Sequence, residues 1–390
     1  MNNFIFENGT KTYFGKGCVK EYLSCLTKHY GPNVLFAYGG GSIHKNGIYD
    51  EIMESLRKAG KNVTEFSGIM SNPTYAKVLE GARLARENKA DLILGVGGGS
   101  VIDCCKAVSM AAAYDGDIWA DFFERPGIMD FDPLPVGVVV TAAGTGSEMN
   151  GGAVITNEER KVKTGRDYPK CNPRFALLDP VYTYSVPKRQ MVSGGFDILS
   201  HIMEIYFSAP DEDKVSDDIA EALMKNVIRS LRRAIRSPED YTARSNLMWD
   251  ACMAENRIIK MGKRTDFQCH NIEHQLGAYT DCSHGEGLAV LHPVYYRHIY
   301  RDGIGKFRRF AVSVWDIPEE GRTEEELARA GVEALADFIR EIGLPTTLKE
   351  LGLPEETPLM EIADSCGISG GSYRQMSHGE ILEILRECYL

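Results

Sequence analysis

Twice the chain runs from a short apolar strand into Gly-Gly-Gly-Ser and straight on into helical sequence, at 34–42 and at 91–100. A strand that ends in glycine and turns into a helix is half of a crossover unit. Repeating it commits a chain to a parallel sheet with helices on its faces. The first strand, 33–38, enters Gly39, Gly40, Gly41 and Ser42, followed by helical character over 43–56. A second strand, 62–66, is closed by Ser71-Asn72-Pro73, and Thr74 is placed to cap a helix reaching Asn88. The third, 91–96, enters Gly97, Gly98, Gly99 and Ser100 and a helix to about Tyr114. The fourth, 136–141, leads into Ala142-Ala143-Gly144-Thr145-Gly146-Ser147. Strands that end in glycine at one edge describe a nucleotide-binding architecture, because ligands sit outside the carboxyl ends of such strands. Each loop lets backbone approach a phosphate and presents free amides at a helix amino end. Neither is the G-x-G-x-x-G fingerprint, which would need glycine where His44 and Ile102 stand. Asp103 and Lys106, in the first turns after the second loop, are suited to holding a polar ligand, and Thr141 to Ser147 offers a third wall.

From about residue 187 the pattern changes to long helices. Ser216 is placed to cap a run with Ile219, Leu223, Val227, Leu231 and Ile235 at helical spacing, ended by Ser237-Pro238. Thr323 and Glu326 form a capping box ahead of a helix that Gly343 and Pro345 stop. At 390 residues the chain exceeds the roughly 250–300 beyond which one core splits. Two domains follow, 1–183 as an α/β dinucleotide-binding domain and 184–390 as a helical metal-binding and substrate domain, with a hinge at 180–187.

The helical part carries the chemistry of a metal site. Asp197 and His201 are four residues apart, one turn on a single helix face, and can share an ion. His270 and His274 repeat that spacing, and His284 follows a short loop. Five of nine histidines fall between 270 and 298, crowded with Glu273 and Glu286. One carboxylate with up to three imidazoles suits a borderline ion such as Fe(II) or Zn(II), and spacing alone does not choose between His270 and His274. Cys269 and Cys282 adjoin the cluster but point in other helical directions than their histidine neighbours.

Net charge narrows the partners. Forty-four Lys and Arg against 55 Asp and Glu leave −11, which excludes a phosphate-backbone partner. No run approaches the ~20 apolar residues of a membrane helix, and the first residues lack the basic start and apolar core of a signal peptide. The expected location is the cytoplasm, where the ten cysteines, free of CxxC pairs, stay reduced.

Taken together, the runs Tyr38 to Asp50 and Gly97 to Lys106, with Thr145-Gly146-Ser147-Glu148-Met149-Asn150, Leu178-Asp179-Pro180 and the histidine segments, resemble the iron-containing alcohol dehydrogenases over nearly the whole chain. The likeness is nearest to the NADPH-dependent butanol dehydrogenase and aldehyde reductase branch. It implies the dehydroquinate-synthase-like fold, a Rossmann-like α/β domain followed by an all-α metal-binding domain. It implies that Asp197, His201, His270 and His284 bind one divalent ion, Fe(II) before Zn(II), with His274 close by and not ligating. It further implies that Gly97, Gly98, Gly99, Ser100 and Asp103 hold the pyrophosphate and nicotinamide end, that Thr141, Thr145 and Ser147 line the cofactor, and that Lys163 lies near the ribose. A homodimer is implied as well. NAD-selective members carry an acidic residue in the loop after the first strand. Here that loop is Gly39, Gly40, Gly41 and Ser42 with Lys45 beyond, amides, a hydroxyl and a cation that welcome a 2'-phosphate, so NADP(H) is expected. Glu65, at the end of the second strand, is the residue that could reverse this.

The expected activity is reversible hydride transfer between NADP(H) and a small primary alcohol or aldehyde, butanol and butanal being the type, with His274 passing a proton toward solvent. The nicotinamide is expected beside the ion in a crevice at the sheet's carboxyl edge, with Phe267, Tyr279 and Trp119 as aromatic candidates for pocket walls. The alternatives are an NAD-linked glycerol dehydrogenase-like enzyme, a lyase on the same scaffold, and a non-catalytic nucleotide or metal sensor.

Overall fold

Five strands come first, β1 Lys11–Phe14, β2 Asn33–Tyr38, β3 Asn62–Phe66, β4 Leu92–Gly97 and β5 Val136–Val140. An antiparallel hairpin, β6 Gly152–Asn157 with β7 Val162–Asp167, and a last strand, β8 Phe175–Leu178, follow. Six of them form one sheet, β1-β8-β5-β4-β2-β3, and every pair in it is parallel. The computed structural model describes residues 2–209 and 214–389.

Burial on both faces explains the sequence of the central strands. β4 is buried throughout and reads as a continuous apolar run instead of an alternating one. On one face α1 Cys18–Thr27 and α3 Ile48–Lys58 pack with Val34, Phe36, Leu92 and Leu94. On the other α4 Tyr75–Glu87 and α5 Gly99–Ala113 pack with Leu35, Ala37, Ile93 and Val138. β2 therefore sends its chain to the first face and β4 to the second. Their carboxyl ends, side by side in the register Tyr38↔Val96, flank a topological switch point, where an open α/β sheet leaves a ligand crevice. Both Gly-Gly-Gly-Ser loops lie at that point.

The helices of the remainder are α6 Lys188–Tyr206, α7 Val215–Arg236, α8 Tyr241–Glu255, α9 Gln268–Thr280, α10 His284–Ile299, α11 Ile304–Ser313, α12 Glu324–Glu341, α13 Leu359–Ser365 and α14 His378–Tyr389. The chain divides into two compact units. One is Glu7–Pro187 with Glu239–Asn256, and the other is Met1–Phe6 with Lys188–Pro238 and Arg257–Leu390. The division falls after Pro187, a few residues past the expected 183, and it assigns α8 to the sheet unit, where the sequence suggested an unbroken helical domain from 184 to 390. The reason is packing that only folding reveals. Gly146 has φ +60°, and a Cβ there would stand 2.2 Å from the Ala251 carbonyl of α8. Nearby the Cys252 thiol donates to Glu148 Oε1 at 3.1 Å.

Local signals held where they were strong. Thr74 caps α4 by accepting from the Lys77 amide, and Thr323 with Glu326 makes the full capping box of α12. Two local expectations change. The helical stretch 43–56 is broken into α2 Ser42–Lys45 and α3, because Gly47 takes a left-handed φ of 79°. Ser216 does not cap α7: the helix begins at Val215 after an extended Lys214, and Ser216 lies buried within the first turn. No helix among the described residues is long and apolar enough to cross a membrane.

Phe207 closes α6 in the core of the helical unit, 1% exposed and stacked on Phe307 at 4.1 Å. Phe207→Ala should cost about 3–5 kcal/mol, read as a lower urea midpoint by circular dichroism; an unchanged midpoint would contradict this packing.

Candidate metal centre and dinucleotide rim

α6 supplies Asp197 and His201, the amino end of α9 supplies His270, and His284 is the first residue of α10. Their side chains meet. Asp197 Oδ1 has the His201 Nδ1 at 3.4 Å, His284 Nε2 at 3.5 Å and His270 Nε2 at 3.8 Å. Asp197, His201 and His270 are buried, and His284 keeps 26% of its side chain exposed, so the cluster opens on that side.

The remaining ring nitrogens are tied down. His201 Nδ1 donates to the Asp197 carbonyl at 2.8 Å, which leaves the lone pair on Nε2. His270 Nδ1 is bonded to Glu204 Oε2, and His284 Nδ1 to Glu273 Oε2. Glu204 and Glu273 are 1% and 0% exposed. Carboxylates on the outer nitrogen turn each inner nitrogen into an electron-pair donor, the arrangement found behind metal-ligating histidines.

Two buried atoms test whether these residues fit an ion. Asp197 Oδ1 and His270 Nε2 have no hydrogen-bond partner among the described residues, although both face the centre of the cluster. Buried polar atoms are almost always paired, so a pair of acceptors aimed at one point fits a cation. The electrostatics agree. Burial alone would raise Asp197, yet His201, His284 and His270 hold its carboxyl well below the usual carboxylate range. Burial opposes charge on His270, but Glu204 and Asp197 push it up to about 10, so the cavity favours positive charge. His292, buried behind and bonded through Nε2 to Ser200 Oγ at 2.6 Å, is pushed by burial down to about 3 and stays neutral.

His274 lies beside these groups. It is half-buried, its ring 5.6 Å from that of His284 and 6.0 Å from that of His270. Asp197, His201 and His270 offer mutually close ligand atoms, and Glu273, His274 and His284 form a second such group. In the second, Glu273 is already engaged by His284. Phe267 stands against two of the imidazole rings, 5.5 Å from His270 and 6.4 Å from His201. Trp119, by contrast, belongs to the sheet unit's core at 2% exposure, stacked on Phe123.

In the sheet unit the rim residues are at the carboxyl edge. Gly99 opens α5, and a Cβ on it would meet Thr145 Oγ1 at 2.2 Å, so glycine is required for that loop to close on its neighbour. The Thr141 amide donates to the Gly97 carbonyl at 3.0 Å. Gly40 and Gly41 would meet nothing within 4 Å, and with Ser42 they are exposed. Asp103 proves to be an anchor: Oδ1 accepts from Ser147 Oγ at 2.5 Å and Oδ2 from the Val154 amide at 2.9 Å. Lys106, fully buried, donates to Ser147 Oγ at 2.7 Å, Asn150 Oδ1 at 3.1 Å and the Gly152 carbonyl at 2.6 Å. Lys163 is buried on β7, opposite Thr156.

Residues 9–180 match the family model described as iron-containing alcohol dehydrogenase, and residues 191–389 match that of the Fe-containing alcohol dehydrogenase family, C-terminal. The chain belongs to the iron-containing alcohol dehydrogenases. It is 40% identical over 388 residues, 99% of each chain, to a probable NADH-dependent butanol dehydrogenase 1 of Bacillus subtilis. It is 35% identical over 355 residues, 90% of each, to the NADPH-dependent aldehyde reductase YqhD of Escherichia coli. Among solved structures, the NADH-dependent butanol dehydrogenase A of Thermotoga maritima is similar at TM-score 0.94 and 38% identity, covering 100% of this chain and 99% of that one. Membership of this family makes the protein an alcohol dehydrogenase-type oxidoreductase that uses a nicotinamide cofactor and iron.

The network under the rim is open to test. Lys106→Met leaves Ser147, Asn150 and the Gly152 carbonyl without their shared donor and Asp103 without its buried countercharge. By the standard of a broken buried charge network, the loss is about 3–5 kcal/mol, measured by calorimetry; an unchanged transition would contradict it.

Proposed function

We propose that the protein transfers hydride reversibly between NADP(H) and a small primary alcohol or its aldehyde, with butanol and butanal as the type. The observation that carries the reading is the approach of His270 Nε2 and His284 Nε2 to the buried Oδ1 of Asp197, which has no hydrogen-bond partner among the described residues, with His201 grouped beside Asp197 and His270. A divalent ion, iron in this family, held by Asp197, His201, His270 and His284 supplies a Lewis acid for the substrate oxygen. The chain's own groups do the rest. Glu204 and Glu273 keep the protons of His270 and His284 on Nδ1, so that both rings present lone pairs inward. His274, next to two of those rings and half-exposed, accepts the proton released in alcohol oxidation and returns it in reduction. Phe267 gives the substrate's carbon chain an apolar wall. The amides at the start of α5 favour the pyrophosphate, while Thr141, Thr145 and Ser147 stand along the same rim, and Lys163 serves the ribose.

For the choice of cofactor, the support is the state of Glu65. Its Oε2 accepts from the Tyr38 hydroxyl at 2.5 Å and its Oε1 from the Tyr49 hydroxyl at 2.7 Å. Those bonds hold Glu65 below the usual carboxylate range and push Tyr49 up to about 12. Both oxygens of Glu65 already accept a phenol, so they are less free to bind a ribose 2'-hydroxyl as an NAD-selective acid would, and Ser42 and Lys45 remain exposed after β2. The relatives carry both cofactor names, and the butanol dehydrogenases named as NADH-dependent favour the second reading, an NAD-linked enzyme at the same site. For the assembly we propose a homodimer. Strand β1 is a sheet edge, and around it Phe14 and Trp249 are 40% and 41% exposed in edge-to-face contact, with Tyr241 at 40%. A second copy is the partner such an uncovered aromatic edge suits.

Steady-state reduction of butanal should give a higher kcat/KM with NADPH than with NADH; the opposite order would move the assignment to NAD. His270→Ala should lose both bound metal and turnover, measured by elemental analysis and NADPH oxidation on the same sample, and full activity would refute the site. Light scattering should return twice the mass of one chain.

A further inference from the structure

We infer that Glu204 and Glu273 are positioning residues that assemble the ion site in series, one helix fixing the next. The inference rests on the proposed ion site and concerns how its ligands are held.

Glu204 lies on α6 seven residues beyond Asp197 and three beyond His201, so the three side chains share one stripe of that helix. Its Oε1 accepts from the backbone amides of Cys269 at 2.8 Å and His270 at 3.2 Å, while Oε2 takes the Nδ1 of His270. Those amides belong to the first turn of α9, where they have no partner within the helix. A single buried carboxylate thus caps α9, fixes its register against α6, and turns the His270 ring so that Nε2 faces Asp197. The negative charge also suits a helix amino end.

Glu273 repeats the device one step on. It sits on α9 three residues after His270 and holds Nδ1 of His284, the first residue of α10. Space for it depends on Gly287, where a Cβ would stand 3.1 Å from Glu273 Cγ. Order therefore passes from α6 through Glu204 to α9, and from α9 through Glu273 to α10. Disturbing the second link frees His284 alone. Disturbing the first frees His270 and, by loosening α9, His284 as well.

Glutamine keeps the volume of each side chain and one acceptor oxygen but removes the charge behind the imidazole, and at position 204, where both oxygens accept, its NH2 must also face one of the donors. Full-length protein, stripped of metal, is titrated with Zn(II) against a chromophoric chelator, and the Co(II)-substituted protein is followed by its visible absorption bands. Glu273→Gln should weaken Zn(II) binding about 10–100-fold and shift the Co(II) bands. Glu204→Gln should weaken it further. Should Glu204→Gln fail to fold, the Glu273→Gln result decides alone. Unchanged affinity with unshifted bands in the variants, or a larger loss in Glu273→Gln than in Glu204→Gln, would overturn the inference. Absence of Zn(II) binding by the unsubstituted protein would instead refute the ion site itself.

Discussion

The interaction on which the rest depends is the field around Asp197. Three carboxylates, Asp197, Glu204 and Glu273, are each no more than 4% exposed within the helices that carry the histidines. Burying a carboxylate costs several kcal/mol unless positive charge or several donors answer it. The imidazoles answer part of it, and Glu204 and Asp197 push His270 up to about 10 against its burial, so the cavity favours positive charge. A dication at the centre would let all three imidazoles stay neutral. The stability of the helical unit and the chemistry of the site are then one electrostatic problem.

The sheet unit solves a different one. Gly99 lets the loop after β4 close on Thr145, where a Cβ would stand 2.2 Å from Oγ1. Such a loop has little of its own to hold it. The stiffness comes from beneath, where Lys106 and Asp103 tie α5 to Ser147, Asn150 and the β6 backbone, and from α8, whose Ala251 and Cys252 press on the 145–149 turn. Asp103, expected at the cofactor, is also bonded within that wall.

Much of this was legible because it is local. The strand-glycine-helix turns, the Thr74 cap and the Thr323–Glu326 box involve residues within a few positions of each other, where spacing determines contact. Asp197 and His201 were visible for the same reason. The proposed choice of His270 and His284 over His274 was not, since it depends on how α9 and α10 meet α6; only the resemblance to a family implied it. Glu204 was missed although it continues the Asp197-His201 stripe at the seventh position, because a buried glutamate has the same sequence signature as a solvated one. The assignment of α8 to the sheet unit was hidden too, since small residues such as Ala251 do not announce their neighbours. The β6–β7 hairpin was lost in a stretch whose charged turn obscures its alternation.

Anomalous X-ray scattering from a crystal of the metal-loaded protein, recorded across the iron and zinc edges, tests the central claim most directly. The account predicts a single peak at about 2.0–2.2 Å from Asp197, His201, His270 and His284, with Glu204 and Glu273 behind the two outer imidazoles. A peak held instead by Glu273, His274 and His284, or no peak at the Asp197 carboxylate, would contradict it.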